Sequence, residues 1–140
     1  MRVLVDTSVW SCALRRRKVR DKSEAAAVVE LKSLVESGHV VVIGAIRQEI
    51  LSGIRSMEQY LRLREALSAF PDIPVETGDF ERAAEMFNLC RSRGIQASNT
   101  DYLICSVAER HGFDILTLDR DFFLLAGVLP ISVFFPGDVQ

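Results

Sequence analysis

Four short runs constrain what this chain can fold into more than any other feature. They are residues 3–5, 39–43, 114–118 and 131–135, each largely apolar and each too brief for a helix. A short apolar run bounded by turn or capping residues reads as a strand buried on both sides. Between the runs lie longer stretches with apolar residues at helical spacing, and strands that alternate with helices predict a parallel sheet covered on both faces. The expected fold is therefore three-layer α/β/α, with a central, mostly parallel sheet of four or five strands. At 140 residues and 49% hydrophobic content, the chain fits one domain spanning 1–140.

The intervening stretches carry start and stop signals. Thr7 and Ser8 open a short helix bearing Val9 and Trp10, and Ser23 begins a longer one with Ala25, Val28, Leu31 and Val35 on one face, ended by Gly38. After Gly44, Ile46, Glu49, Ile50 and Gly53 follow the i, i+3, i+4, i+7 rule, which sets the Glu49 carboxylate on or beside the inward face. Residues 57–70 carry Tyr60, Leu63, Leu67 and Phe70 on one stripe and stop at Pro71; with Gly53 as hinge they form a hairpin that serves either as core or as a docking surface. Residues 72–78 read as a loop with at most a short edge segment. Asp79 is expected to cap a helix with Phe80, Ala83, Ala84, Phe87 and Cys90 inward, ended by Gly94. Ser98 and Asp101 have the spacing of a capping box ahead of a nearly all-apolar helix that ends at Gly112.

Bulk properties narrow the function classes. A formal charge of −2 argues against gripping nucleic acid by net charge, although Arg15, Arg16, Arg17 and Lys18 form a basic cluster that suits either a solvated loop or RNA phosphate. Three widely spaced cysteines in apolar helical patterns, Cys12, Cys90 and Cys105, read as reduced core residues and not as a disulfide or zinc framework. No stretch approaches the ~18 apolar residues of a membrane span, so a cytoplasmic location is expected.

The acids carry the chemistry. Asp6 and Asp119 stand at strand tips, where an open parallel sheet presents its ligand crevice; Glu49 and Asp101 are expected near the starts of helices beside it. Taken alone, Asp6 also reads as a simple helix cap and Asp101 as an acid answering a helix dipole. If four carboxylates met about 5 Å apart, each pair would repel by roughly 3 kcal/mol at an effective dielectric of 20, and several pairs would rival a domain's whole stability. Such a cluster must take up protons or recruit a cation, and oxygen ligands select a hard ion, Mg²⁺ or Mn²⁺. A hydrated ion held by carboxylates can activate water against a phosphodiester. His39 and His111, at a strand start and a helix end, offer no rival acid–base pair.

The motifs DTSVW at 6–10, IRQEIL at 46–51, TDYLICSVAERHG at 100–112 and LTLDRDF at 116–122 resemble those of the PIN-domain ribonucleases, especially the toxins of VapBC toxin–antitoxin pairs. The resemblance spans almost the whole chain and implies a Mg²⁺-dependent endoribonuclease. It implies that Asp6, Glu49, Asp101 and Asp119 form the acidic centre, with Asp6, Asp101 and Asp119 as metal ligands and Ser8 and Asp121 in support. It further implies an RNA substrate, a homodimer, and a cognate antitoxin docking near the Gly53 hairpin. Two other classes place an aspartate at a first strand tip. Aspartate-nucleophile phosphatases commonly need a second acid two residues on, where this chain has Ser8, and phosphoacceptor domains need a late lysine, which is absent beyond Phe70. A non-catalytic RNA-binding or scaffold domain is the remaining alternative, disfavoured by intact acids at all four positions.

Overall fold

The computed structural model describes residues 1–14 and 21–136. Its sheet has four strands, β1 (Val3–Val5), β2 (Val40–Val41), β3 (Asp114–Leu116) and β4 (Ser132–Phe134), in the order β2-β1-β3-β4 with every pairing parallel. Val3, Leu4 and Val5 are all fully buried, so both faces of the central strand are covered. The cover is supplied by α1 (Thr7–Leu14), α2 (Lys22–Glu36), α3 (Gly44–Leu51), α4 (Met57–Leu67), α5 (Thr77–Ser92), α6 (Asn99–His111) and α7 (Asp121–Ala126).

Each strand except β1 is shorter than its apolar run. The reason lies in β1: it has three residues before the chain turns into α1, and a neighbour pairs only as far as its partner extends. Val3 and Leu4 pair with Val40 and Val41, and Val3 to Val5 pair in turn with residues 114–116. Beyond the ladder, Val42 makes a single bridge to Asp72 and accepts from the Ile73 N–H at 2.8 Å, so the 72–78 loop does touch the sheet edge.

Local signals place most helix ends. The Asp21 side chain accepts from the Glu24 N–H at the start of α2, and Ser56 accepts from Gln59 at the start of α4. Gly53, at φ 82°, supplies the left-handed turn between α3 and α4. The Ser98–Asp101 capping box is present in both directions, and α6 is buried continuously from Tyr102 to Ala108, as its composition leads one to expect. The three cysteines are buried and form no disulfide among themselves. None of the described helices is long and apolar enough to cross a membrane.

Two helices are rotated from their expected faces. In α2 the buried residues are Ala27, Leu31 and Leu34, while Val35 is exposed. The run of residues 25–29 is apolar on every side of the helix, so periodicity alone does not select the face. In α5 the buried residues are Asp79, Ala83, Met86 and Cys90, whereas Phe80 is exposed and Ala84 lies outward. Ion pairs to α6 set this rotation: Arg110 donates to both oxygens of the buried Asp79 at 2.7 and 2.8 Å, and Arg82 donates to both oxygens of Glu109 at 3.0 Å. The N-cap of α5 is Glu76, with Asp79 reaching back to the Glu76 N–H from the third helical position. Helix α4 stops at Leu67, three residues before Phe70.

Candidate active site: an acidic crevice at the switch point

The strand order puts β1 between its two successors, so the chain leaves β1 toward one side for β2 and returns on the other for β3. At such a switch point the loops diverge and open a crevice at the C-terminal strand ends. Asp6 follows β1 directly, and its N–H donates to the Leu116 carbonyl at 2.9 Å, locking the two strand tips together.

The Asp6 carboxylate is 5% exposed and gathered by hydroxyls. Its Oδ2 accepts from Ser8 Oγ at 2.7 Å and from Thr117 Oγ1 at 2.8 Å. Ser8 Oγ accepts in turn from the Leu118 N–H at 3.0 Å, and Thr117 Oγ1 accepts from the Asp119 N–H at 2.9 Å. One carboxylate, two hydroxyls and the main chain after β3 thus form a single network. Burial pushes the Asp6 carboxyl above its ordinary value, opposed by the bonds from Ser8 and Thr117.

Asp101 enters from the first turn of α6, where its Oδ2 accepts from the Ser98 N–H at 3.1 Å. Burial raises its carboxyl to about 6, against the bonds from Ser98 and with a further push from the charges of Asp6 and Asp119. Asp119 follows β3, and its Oδ1 accepts from the Asp121 N–H at 2.9 Å. Asp121 reaches the site through its main chain; its exposed side chain is not part of the crevice wall. Glu49 is the sixth residue of α3 and not near its start. Its exposed carboxylate lies beside the inward face and accepts from Thr7 Oγ1 at 2.6 Å, which ties α3 to the first turn of α1.

Asp6, Glu49, Asp101 and Asp119 line one crevice of about 710 Å³, together with Thr7, Ser8, Gln48, Ser52, Ser98 and Thr100. Among the described residues no lysine, arginine or histidine contributes to this wall. Among the described residues no three histidine, cysteine or acidic side chains are arranged to hold a metal ion as they stand, which like-charge repulsion accounts for. The donor chemistry nevertheless fits a hard divalent cation: every candidate ligand is an oxygen, and four are carboxylates.

Sequence reasoning located all four acids and Ser8 but missed Thr117 and Thr7. Thr117 did leave a trace, as the one hydroxyl in the apolar stretch Ile115, Leu116, Thr117, Leu118. Such a residue, fully buried, requires a polar partner. Arg15, Arg16, Arg17 and Lys18 lie outside the described residues.

The fold and this crevice define a class of strand-tip carboxylate proteins, and sequence comparison names it: the PIN-domain family model matches residues 3–128, and the chain belongs to that family. Ribonuclease VapC11 of Mycobacterium tuberculosis is 30% identical over 130 residues, covering 90% of this chain and 92% of that one. Kinship at this level with VapC ribonucleases supports a nuclease. Among solved structures, FitAcB from Neisseria gonorrhoeae superposes with a TM-score of 0.75 at 21% identity, covering 98% of this chain and 99% of that one. A toxin–antitoxin complex from Klebsiella pneumoniae gives 0.68 at 22% identity, covering 98% and 99%. At these identities the structural matches speak to the fold.

Proposed function

We propose that this protein is a Mg²⁺-dependent endoribonuclease, with Mn²⁺ as an alternative ion, and the toxin of a type II toxin–antitoxin pair acting in the cytoplasm. The observation that carries the reading is the crevice itself: four carboxylates from four segments of the chain line one opening that, among the described residues, has no basic residue in its wall. Asp6, Asp101 and Asp119 would hold the ion, with Glu49 at the rim. Bound there, a divalent ion supplies an activated water and neutralises charge on the phosphodiester.

The protein's own groups do the positioning. Ser8 and Thr117 fix the orientation of the Asp6 carboxylate, and Thr117 and Asp121 hold the main chain and side chain of Asp119. Burial, with a smaller push from the charges of Asp6 and Asp119, penalises the ionised Asp101 carboxylate, a penalty that a bound cation would offset. Thr7 keeps Glu49 close to the strand tip. The basic residues Arg15, Arg16, Arg17 and Lys18 are assigned to RNA phosphate. The active form is proposed to be a homodimer.

For the antitoxin we assign the apolar groove of about 380 Å³ between α1, α2 and α4, walled by Trp10, Leu31, Val35, Leu67 and Phe70. It includes the second arm of the Gly53 hairpin.

The test is incubation of the purified protein with single-stranded RNA and Mg²⁺. Endonucleolytic products that disappear with EDTA and with Asp6→Asn are expected. RNA binding without turnover, in any divalent ion, would instead establish a non-catalytic RNA-binding domain.

A further inference from the structure

We propose that the cleft between α5 and α6 receives a nucleobase of the RNA strand whose backbone occupies the acidic crevice, and so reads sequence beside the scissile phosphate. This rests on the nuclease reading above. The cleft measures about 490 Å³ and adjoins the crevice, with Thr100 in the wall of both. The first turn of α6 divides its residues between them: Ser98 and Asp101 face the crevice, while Asn99 and Tyr102 face the cleft. The two openings therefore flank the same turn of α6, on different sides of the helix.

The walls have the composition a base requires. Phe80 is 57% exposed and, with Phe87, presents aromatic surface to the cleft on which a base can stack. Phe87 stands opposite Tyr102, edge to face at 5.4 Å and 65°, with the Arg91 guanidinium 5.5 Å from its ring, so its orientation is fixed. Asn88 and Asn99 each bring a carboxamide, and a carboxamide offers both a donor and an acceptor, as base edges do. Among the described residues no charged side chain lines the cleft, which suits the neutral base and not the phosphate. A base reaches such a cleft only when splayed out of a helix, which makes the substrate segment single-stranded.

The test uses Asn88→Ala and Phe80→Ala, both on α5 and neither in contact with the carboxylates. Short single-stranded RNAs that differ only in the base flanking the cleaved bond are compared for cleavage in Mg²⁺ and for binding by fluorescence anisotropy in EDTA. The intact protein is expected to favour one base by about tenfold, the discrimination of a single well-formed base contact. Asn88→Ala should reduce that preference to about twofold without slowing the least-favoured RNA, and Phe80→Ala should raise KM by about tenfold with a smaller change in kcat. Base-dependent binding in EDTA would persist if the wild type cleaved no RNA at all, a result that would remove the nuclease reading and leave the base-binding cleft standing. The proposal is overturned if the wild type shows no base preference, or if neither variant changes it. It is equally overturned if Phe80→Ala converts a dimer to a monomer by sedimentation and lowers activity on every RNA alike, since the face would then belong to a second copy of the chain. Should Phe80→Ala fail to fold, Asn88→Ala decides.

Discussion

Replacing Asp101 by asparagine should make the metal-free protein more stable while abolishing its cleavage of RNA. The side chain is partly buried and lies near Asp6 and Asp119, which together with its burial lift its carboxyl from the ordinary 3.8 to about 6. A rise of that size corresponds to about 3 kcal/mol of penalty on the ionised form, and the solvent still reaching Asp101 screens this to about 1 kcal/mol. Asp101→Asn removes the penalty and keeps an acceptor oxygen for the Ser98 N–H, so the capping box survives. For a chain of this length the gain is about 3 °C in Tm at pH 7.5. Its pH dependence is diagnostic. Between pH 6 and 4 the folded wild type holds a proton on Asp101 that the unfolded chain releases, so wild-type stability rises as pH falls through 6, and the advantage of the variant vanishes near pH 4. Urea unfolding in EDTA from pH 4 to 8 measures both effects, alongside an expected loss of cleavage of at least about 100-fold in Mg²⁺. Destabilisation by Asp101→Asn at pH 7.5, or a gain that does not change with pH, would refute the picture of mutually repelling, partly buried carboxylates.

Thr117→Val should lower kcat by about 10- to 100-fold and stability by about 1 kcal/mol, since it deprives buried Asp6 of a donor and the Asp119 N–H of an acceptor; paired kinetics and denaturant melts check this. Asp79→Asn should behave oppositely to Asp101→Asn. The Arg110 guanidinium holds the Asp79 carboxyl below its usual range, so this ion pair stabilises the fold above the ordinary carboxyl value and is lost as pH falls below it. The variant should melt earlier than wild type at pH 7, with a difference that shrinks in acid by scanning calorimetry. Neutralising Arg15, Arg16, Arg17 and Lys18 together should weaken RNA affinity and flatten its dependence on salt, and an unchanged slope in titrations at several salt concentrations would return these residues to an ordinary surface.

The sequence by itself determined the element order and the parallel sheet, because short uniformly apolar runs flanked by helical periodicity leave few other ways to bury both sides of a strand. It also determined the four acids of the crevice, the capping box of α6 and the reduced state of the cysteines, all of which depend on residue type and local spacing. Tertiary structure alone decided which way α2 and α5 turn, since residues 25–29 offer apolar side chains in every direction and α5 is oriented by Asp79–Arg110 and Arg82–Glu109, partners 31 and 27 residues apart. The same holds for the hydroxyls around the acids. Thr117 meets Asp6 across 111 residues and Thr7 meets Glu49 across 42, so neither contact has a local signature. Burial and charge at a site arise from what the fold brings alongside it, and that is why Asp101, legible in sequence as a helix cap, becomes a penalised carboxylate only when the fold buries it and, to a lesser degree, sets Asp6 and Asp119 beside it.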